Sequence, residues 1–334
     1  MTTNRKMLLA QRPVGVPTKD CFELVEDAVP DAEDGEAIVE VAYLSIDPTI
    51  RGWLNDEEGY LPPIQLGEVV RSGIVGTVVA SKTDMFPVGM KVTGLGGWQQ
   101  YLRIGGSTGA LVMPLADDIE LLDAVSVFGI TGITAFVGIF DIGQVQAGDV
   151  FVVSGAAGGV GSIAGQIAKI LGCRVVGIAG TDEKCAWLVD DLGFDAAINY
   201  KTHDVPTALR DACPNGIDVY FDNVGGDILN AALDLMNLNG RIIACGMISQ
   251  YNDTERPPGP SNIFRIVGQR LRMQGFILLD HIDRFGAATE QLSQWVKEGK
   301  LQNRVTIVDG LEEAPRALNM LFTGENIGKV AVRV

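Results

Sequence analysis

Residues 150–161 read V-F-V-V-S-G-A-A-G-G-V-G and constrain the fold more than any other stretch. Val150, Phe151, Val152 and Val153 form a short apolar run of β-branched and aromatic type, the pattern of a strand buried on both faces of a parallel sheet. The run stops at Ser154-Gly155, and Ile163, Ile167 and Ile170 then recur at helical spacing as far as Leu171-Gly172. Strand, small-residue turn and helix together are the context a dinucleotide-binding fingerprint needs. A turn without bulky side chains lets backbone N–H groups and a helix N-terminus approach a pyrophosphate. A tight turn packed on a neighbour would need some of these glycines, but not four between 155 and 161.

With 334 residues, of which 47% are hydrophobic, the chain can build two domains of ordinary size. Its net charge of −16 argues against nucleic acid or an anionic membrane surface as partner, since both need basic protein surface. Cys21, Cys173, Cys185, Cys213 and Cys245 are scattered and odd in number, which favours reduced thiols. The first residues carry no apolar core of signal-peptide length, so a cytoplasmic protein is expected. Two uncharged stretches, Ala124–Phe140 and Val150–Ala168, carry Gly, Ser or Thr throughout and read as buried soluble elements rather than membrane spans.

Residues 1–125 have the texture of a partly open β-barrel, with strands expected at Ala37–Val41, Gly73–Ala80, Met90–Leu95 and Gln100–Ile104. Ala124–Phe140 reads as a helix pair broken near Gly129–Gly132. Strand and helix then alternate: strand 150–153, helix 160–171, strand 174–179, helix 182–192, strand 196–198, strand 218–221, helix 226–237, strand 241–245 and a last strand over Met273–Leu279. That alternation predicts a doubly wound parallel sheet. A helix is expected over Phe285–Lys300, and strands return at Val305–Val308 and Val330–Val334. The simplest topology inserts an α/β nucleotide domain, 126–302, into a β-rich domain of residues 1–125 plus 303–334. The loop Ser249–Ser261 lies past a strand's carboxyl end, where such sheets bind ligands.

Gly180 ends the second strand, where an NAD enzyme would place an acid against the ribose 2′-OH. Asp182 is the rival acid, with a helix-capping or first-turn role as the alternative. Lys184 would meet a 2′-phosphate as a point charge or would be a solvated helix lysine; the combination favours NADP(H). His203 and His281 are the only histidines, and no C-x-x-C or H-x₃₋₅-H spacing occurs, so no zinc site is expected.

The strings D-P-T-I-R (47–51), T-G-I-T-A (131–135), S-G-A-A-G-G-V-G-S (154–162), G-I-A-G-T-D-E-K (177–184), F-D-N-V-G-G (221–226), C-G-M-I-S-Q-Y-N (245–252) and G-E-N-I-G-K (324–329) run nearly end to end. The chain they build resembles the zinc-independent medium-chain dehydrogenase/reductases. Within them it is most similar to the prostaglandin/leukotriene reductases, alkenal double-bond reductases and bacterial curcumin reductases. The resemblance implies a chaperonin-10-like β domain, a Rossmann domain and an active site in the cleft between them. It implies hydride transfer from NADPH to the β-carbon of an α,β-unsaturated ketone or aldehyde, with enolate stabilisation. Gly158, Gly159, Val160 and Gly161 would hold the pyrophosphate, and Gly180, Lys184 and Tyr200 the 2′-phosphate side. Asn223, Cys245, Gly246, Met247, Ile248, Ser249, Tyr251, Phe276, Ile277 and Leu278 would line the cofactor, and Asn326 would contact it from the returning tail.

Tyr251 is the expected donor to the developing enolate, or else a packing residue on the nicotinamide. Many members carry Tyr where this chain has Thr49, so an aromatic wall of the substrate pocket is expected to be missing. A quinone oxidoreductase and a non-enzymatic NADPH-binding protein are the competing readings. A homodimer is expected, formed by pairing of the 273–279 strand as a sheet edge.

Overall fold

The computed structural model of the chain describes residues 3–106, 108 and 110–334. The chain divides into two compact units, residues 1–130 with 305–334 and residues 131–304.

The first unit opens with β1 (Thr3–Leu9) and β2 (Phe22–Ala28), an antiparallel pair. Next come β3 (Glu36–Ile46), the short helix α1 (Thr49–Trp53), β4 (Arg71–Ser81), β5 (Lys91–Gly97), β6 (Tyr101–Gly105) and β7 (Leu111–Pro114). β3 is the organising strand. Along one side it pairs with β4, shifting register twice between Ile38 and Tyr43; its first half also carries β6. Shifts of this kind bend a strand and re-aim its ends. Met7, Leu44, Ile46, Ile74 and the ring of Trp98 fill the core beneath it.

Two helices, α2 (Leu121–Ala124) and α3 (Ile130–Val137), lead towards the second unit. The helix pair expected over Ala124–Phe140 therefore starts earlier and breaks earlier. α2 ends at Ala124, and the break spans 125–129, where Gly129 packs on the Ala124 carbonyl with no room for a side chain.

The second unit alternates strand and helix as expected. Its elements are β8 (Val150–Ser154), α4 (Gly159–Ile170), β9 (Arg174–Ala179), α5 (Asp182–Ala186), β10 (Ala196–Asn199), α6 (Val205–Ala212), β11 (Ile217–Asp222), α7 (Gly226–Leu235), β12 (Met236–Ala244), α8 (Arg265–Gln269), β13 (Arg272–Gly275) and α9 (Phe285–Lys297). All six strands are parallel in the order β10-β9-β8-β11-β12-β13. This is the Rossmann order, and its direction reverses between β8 and β11. Val152, Val176, Ile178, Tyr220 and Ile242 point into one core, with Leu209 of α6 and Ile228 and Leu233 of α7 against them.

The last strand is a correction. β13 stops at Gly275 and is exposed throughout; the apolar residues Phe276–Leu278 lie beyond it, and Leu278 begins a 3-10 turn. The apolar run reads as a strand, but the hydrogen-bonded edge is the polar segment before it.

The chain then returns to the first unit through β14 (Val305–Asp309), α10 (Ala314–Thr323) and β15 (Lys329–Arg333). β15 lies between β14, to which it is parallel, and the second half of β3, to which it is antiparallel.

Candidate functional site

Since the six strands of the second unit are parallel, their carboxyl ends share one edge, and the crevice of such a sheet opens at the β8/β11 switch point. β8 delivers the chain into the turn Gly155–Gly158, and α4 starts at Gly159 with Gly158 as its extended cap. Gly161 fits only as glycine: a Cβ there would stand 2.4 Å from the Gly155 carbonyl oxygen. The turn and the first turn of α4 are pressed together, leaving Gly158, Gly159, Val160 and Gly161 with no large side chain over the helix N-terminus. Unpaired N–H groups at a helix N-terminus favour an anion.

Across the switch point, Asn223 follows β11. Its side-chain amide donates to the Ser154 carbonyl at 2.8 Å, and its backbone N–H donates to Ser154 Oγ at 2.9 Å. The loop after β12 hangs from the same place. The N–H groups of Cys245 and Gly246 donate to the Asp222 carbonyl at 2.9 and 3.0 Å, Ile248 N–H donates to Asn223 O at 3.1 Å, and Ser249 Oγ donates to Val224 O at 2.6 Å. Tyr251 closes this loop on itself, its phenol oxygen accepting the Met247 N–H at 3.3 Å. Burial, with the Asp222 carboxylate adding to it, pushes the Cys245 thiol up to about 12. At neutral pH it is a thiol, not a thiolate nucleophile.

On the other side, β9 ends at Ala179 and Gly180 faces the ring of Tyr200, which a Cβ would approach to 3.0 Å. Thr181 caps α5 by accepting the Lys184 N–H at 3.2 Å. Asp182 is a first-turn residue, and its carboxylate accepts the Asn199 side-chain amide at 2.7 Å. That bond takes up one oxygen of the rival ribose acid. Lys184 is not a solvated lysine: the residue is only 8% exposed. Burial and then the charge of Lys201 lower its pKa from the usual lysine value, and Lys201 itself lies over the Tyr200 ring at 6.0 Å. Two cations beside a glycine and a phenol form a donor set that suits a phosphate.

Within this unit the sheet thus gathers Gly158–Gly161, Asn223 and the Cys245–Tyr251 loop at the switch point, with Gly180, Lys184 and Tyr200 at the ends of β9 and β10. Gly275 pairs with Ala244, so Phe276, Ile277 and Leu278 leave the sheet beside the start of the Cys245 loop. Phe276 reaches back towards Gly138, at 3.5 Å from its added Cβ, in the π-helical turn Gly138–Gly143. Asn326 lies in the other unit, buried, its amide donating to the Gly328 carbonyl at 2.9 Å. Thr49 also belongs there. An aromatic ring does stand against it: its hydroxyl and the Tyr60 phenol share a 2.5 Å hydrogen bond, and the Trp53 ring meets Tyr60 edge-on. Sequence reasoning missed Tyr60, whose loop lacks periodicity, and missed Asp222, whose signal is an acid closing an apolar strand just before two turn residues.

Among the described residues, no group of three or more His, Cys, Asp or Glu side chains is arranged to hold a metal ion, and no helix is long and apolar enough to cross a membrane.

Comparison with known proteins gives this geometry its context. Residues 5–112 match the family described as the N-terminal domain of oxidoreductase, and residues 159–296 match the one described as zinc-binding dehydrogenase. The chain is 42% identical over 337 residues to the NADPH-dependent curcumin reductase of Escherichia coli (strain K12), spanning 99% of this chain and 97% of that protein. It is 40% identical over 337 residues to prostaglandin reductase 1 of Bos taurus, spanning the whole of both. The crystal structure of CurA from Vibrio vulnificus in complex with NADPH superposes with a TM-score of 0.93 at 41% identity, over 99% of each chain. The chain belongs to the medium-chain dehydrogenase/reductase family, in the branch that holds the curcumin and prostaglandin reductases.

Proposed function

We propose that this protein is an NADPH-dependent reductase of the carbon–carbon double bond of α,β-unsaturated ketones and aldehydes. The full-length likeness to curcumin and prostaglandin reductases carries this reading. The buried Lys184, with Gly180 in place of an acid, supports the choice of NADPH. The residues fit that group. Gly161 keeps the α4 N-terminus open to a pyrophosphate, and an anion beside Lys184 and Lys201 would relieve their mutual repulsion.

In this reading Gly158–Gly161 hold the pyrophosphate, while Lys184 and Tyr200 hold the 2′-phosphate. Asn223, Cys245–Tyr251 and Phe276–Leu278 line the remainder, and Asn326 adds a contact from the returning tail. When bound, NADPH supplies the hydride. The protein must then stabilise negative charge on the substrate's carbonyl oxygen and direct a proton to the α-carbon. We assign that donation to Tyr251, whose phenol carries an O–H donor and is oriented by Met247 N–H.

We also infer a cytoplasmic homodimer. The five cysteines are free of disulfides, in keeping with a reducing compartment. β13 is an exposed edge of the parallel sheet, and its own Met273 is 38% exposed. An exposed, unpaired sheet edge favours pairing with a second copy across a two-fold axis.

The test is loss of NADPH absorbance with the purified protein across a panel of enones, enals and quinones. Turnover of enones and enals is expected. Turnover of quinones alone would make it a quinone oxidoreductase, and NADPH binding with no turnover of any of them would make it a binding protein.

A further inference from the structure

Asp222, the last residue of β11, is 1% exposed and stands beneath the switch point. One oxygen of its carboxylate accepts four hydrogen bonds: Ser154 Oγ–H at 3.0 Å, Tyr220 O–H at 2.9 Å, Val224 N–H at 3.0 Å and Gly225 N–H at 2.9 Å. These donors come from the end of β8, from β11 itself and from the turn that follows it. The consequences run outward. By accepting the Ser154 hydroxyl hydrogen, the carboxylate leaves Ser154 Oγ to accept the Asn223 N–H at 2.9 Å. By fixing Val224 and Gly225, it fixes the Val224 carbonyl, which accepts both the N–H of Ser249, at 3.2 Å, and its hydroxyl, at 2.6 Å. The Asn223 carbonyl, in the same turn, accepts Ile248 N–H at 3.1 Å. Ile248, Ser249 and Tyr251 share one loop, so its anchor on the Asn223–Gly225 turn depends on a buried side chain that does not itself reach the loop's middle.

We propose that Asp222 is a positioning residue: its carboxylate holds the Asn223–Gly225 turn, and through it the Cys245–Tyr251 loop, in the shape that binds the nicotinamide half of NADPH. This rests on the reading of the crevice as the NADPH site. The adenosine half lies on the opposite side of the switch point, at Gly180, Lys184 and Tyr200, where Asp222 makes no bond. Asp222 therefore has its direct hold at the nicotinamide end and none at the 2′-phosphate end. A carboxylate that merely supported the fold would affect both ends alike.

The experiment measures binding of NADPH and of adenosine 2′,5′-bisphosphate, which carries only the adenosine half, by isothermal titration calorimetry. For Asp222→Asn, NADPH affinity should fall about tenfold while bisphosphate affinity stays within about twofold, as expected when a charged acceptor of several hydrogen bonds becomes a neutral one. Tyr220→Phe removes one of the four donors and should show the same split, smaller; it carries the test if Asp222→Asn does not fold. Equal losses for the two ligands, no loss for either, or a larger loss for the bisphosphate would overturn the proposal. Failure of wild-type protein to bind either ligand would instead overturn the NADPH reading on which it rests.

Discussion

Lys329, at the start of the last strand, is paired with Asp47, the first residue of the D-P-T-I-R string, and also donates to the Ile46 carbonyl at 2.8 Å. The lysine is buried, and Ser45 Oγ donates to the same Asp47 carboxylate at 2.5 Å. Four residues on, Arg51 is also buried, with its guanidinium on the Gly15 carbonyl and on the Asn55 side chain. Thr49 is thus held between two anchored charges. Removing one partner of a buried pair leaves the other uncompensated. Lys329→Met should therefore destabilise the protein by about 3 kcal/mol, seen as a lower urea midpoint. Adding Asp47→Asn should restore most of that stability, since the stranded charge is gone; a double variant no better than the single would refute the pairing argument.

Lys184→Ala should raise the Michaelis constant for NADPH by about ten- to a hundredfold, the worth of a charge-assisted contact to phosphate. The constant for NADH should hardly move. Equal losses with both cofactors would mean that Lys184 does not read the phosphate.

The same residue predicts a pH dependence. Burial and Lys201 lower the Lys184 pKa, and only the charged amine attracts phosphate. Its charge is present at low pH and is lost as pH rises through the lowered value, sooner than for an ordinary lysine near about 10.4. Above pH 7 a phosphate monoester is almost fully ionised, its second pKa being about 6. The preference for NADPH over NADH should accordingly decline in the alkaline range, and should show no such decline in Lys184→Arg, which keeps its charge. Initial-rate ratios at fixed ionic strength give the measurement.

Tyr251→Phe should lower kcat at saturating NADPH by about 10²–10³ if the phenol donates to the enolate oxygen. A loss below tenfold would reduce Tyr251 to a packing residue.

The proposed pairing through β13 predicts that Met273→Glu, which puts a charge on that exposed edge strand, gives a monomer in sedimentation. A wild-type protein that is monomeric at micromolar concentration would remove the dimer itself.

What could be read from the sequence follows from how local each signal is. Val150–Val153 are apolar at every position because the strand is covered on both faces, and β8 appears where expected. The fingerprint turn is legible for the same reason: its small residues answer a constraint that lies within a dozen positions. α6 also carried a local signal that went unread, Asp204 capping the Thr207 N–H at 3.0 Å with Pro206 in the first turn. β1 was hidden by its charged residues, since it has Lys6 half-buried and Asn4 buried on Tyr101, nearly a hundred positions away. β13 was misplaced because the edge strand is polar and the apolar run after it is not in the sheet. Asp222 illustrates the limit: its meaning lies in four donors, one of them 68 residues earlier in the chain, and spacing alone does not reveal them.

The position of β15 has a consequence for how the protein is made. It lies inside its sheet rather than at the border, pairing with Tyr43–Ile46 of β3, yet it follows the whole of the second unit in sequence. A ribosome finishes the whole of residues 131–304 before it supplies this strand. Throughout that interval the emerging first unit has Leu44 and Ile46 without their partners Val332 and Val330, and a row of β3 backbone groups without their β15 partners. Domains generally fold as units during synthesis, and open strand edges invite the wrong neighbours. In this chain the sheet of the first unit stays incomplete until β15 has been made, by which time the whole of the second unit has been synthesised.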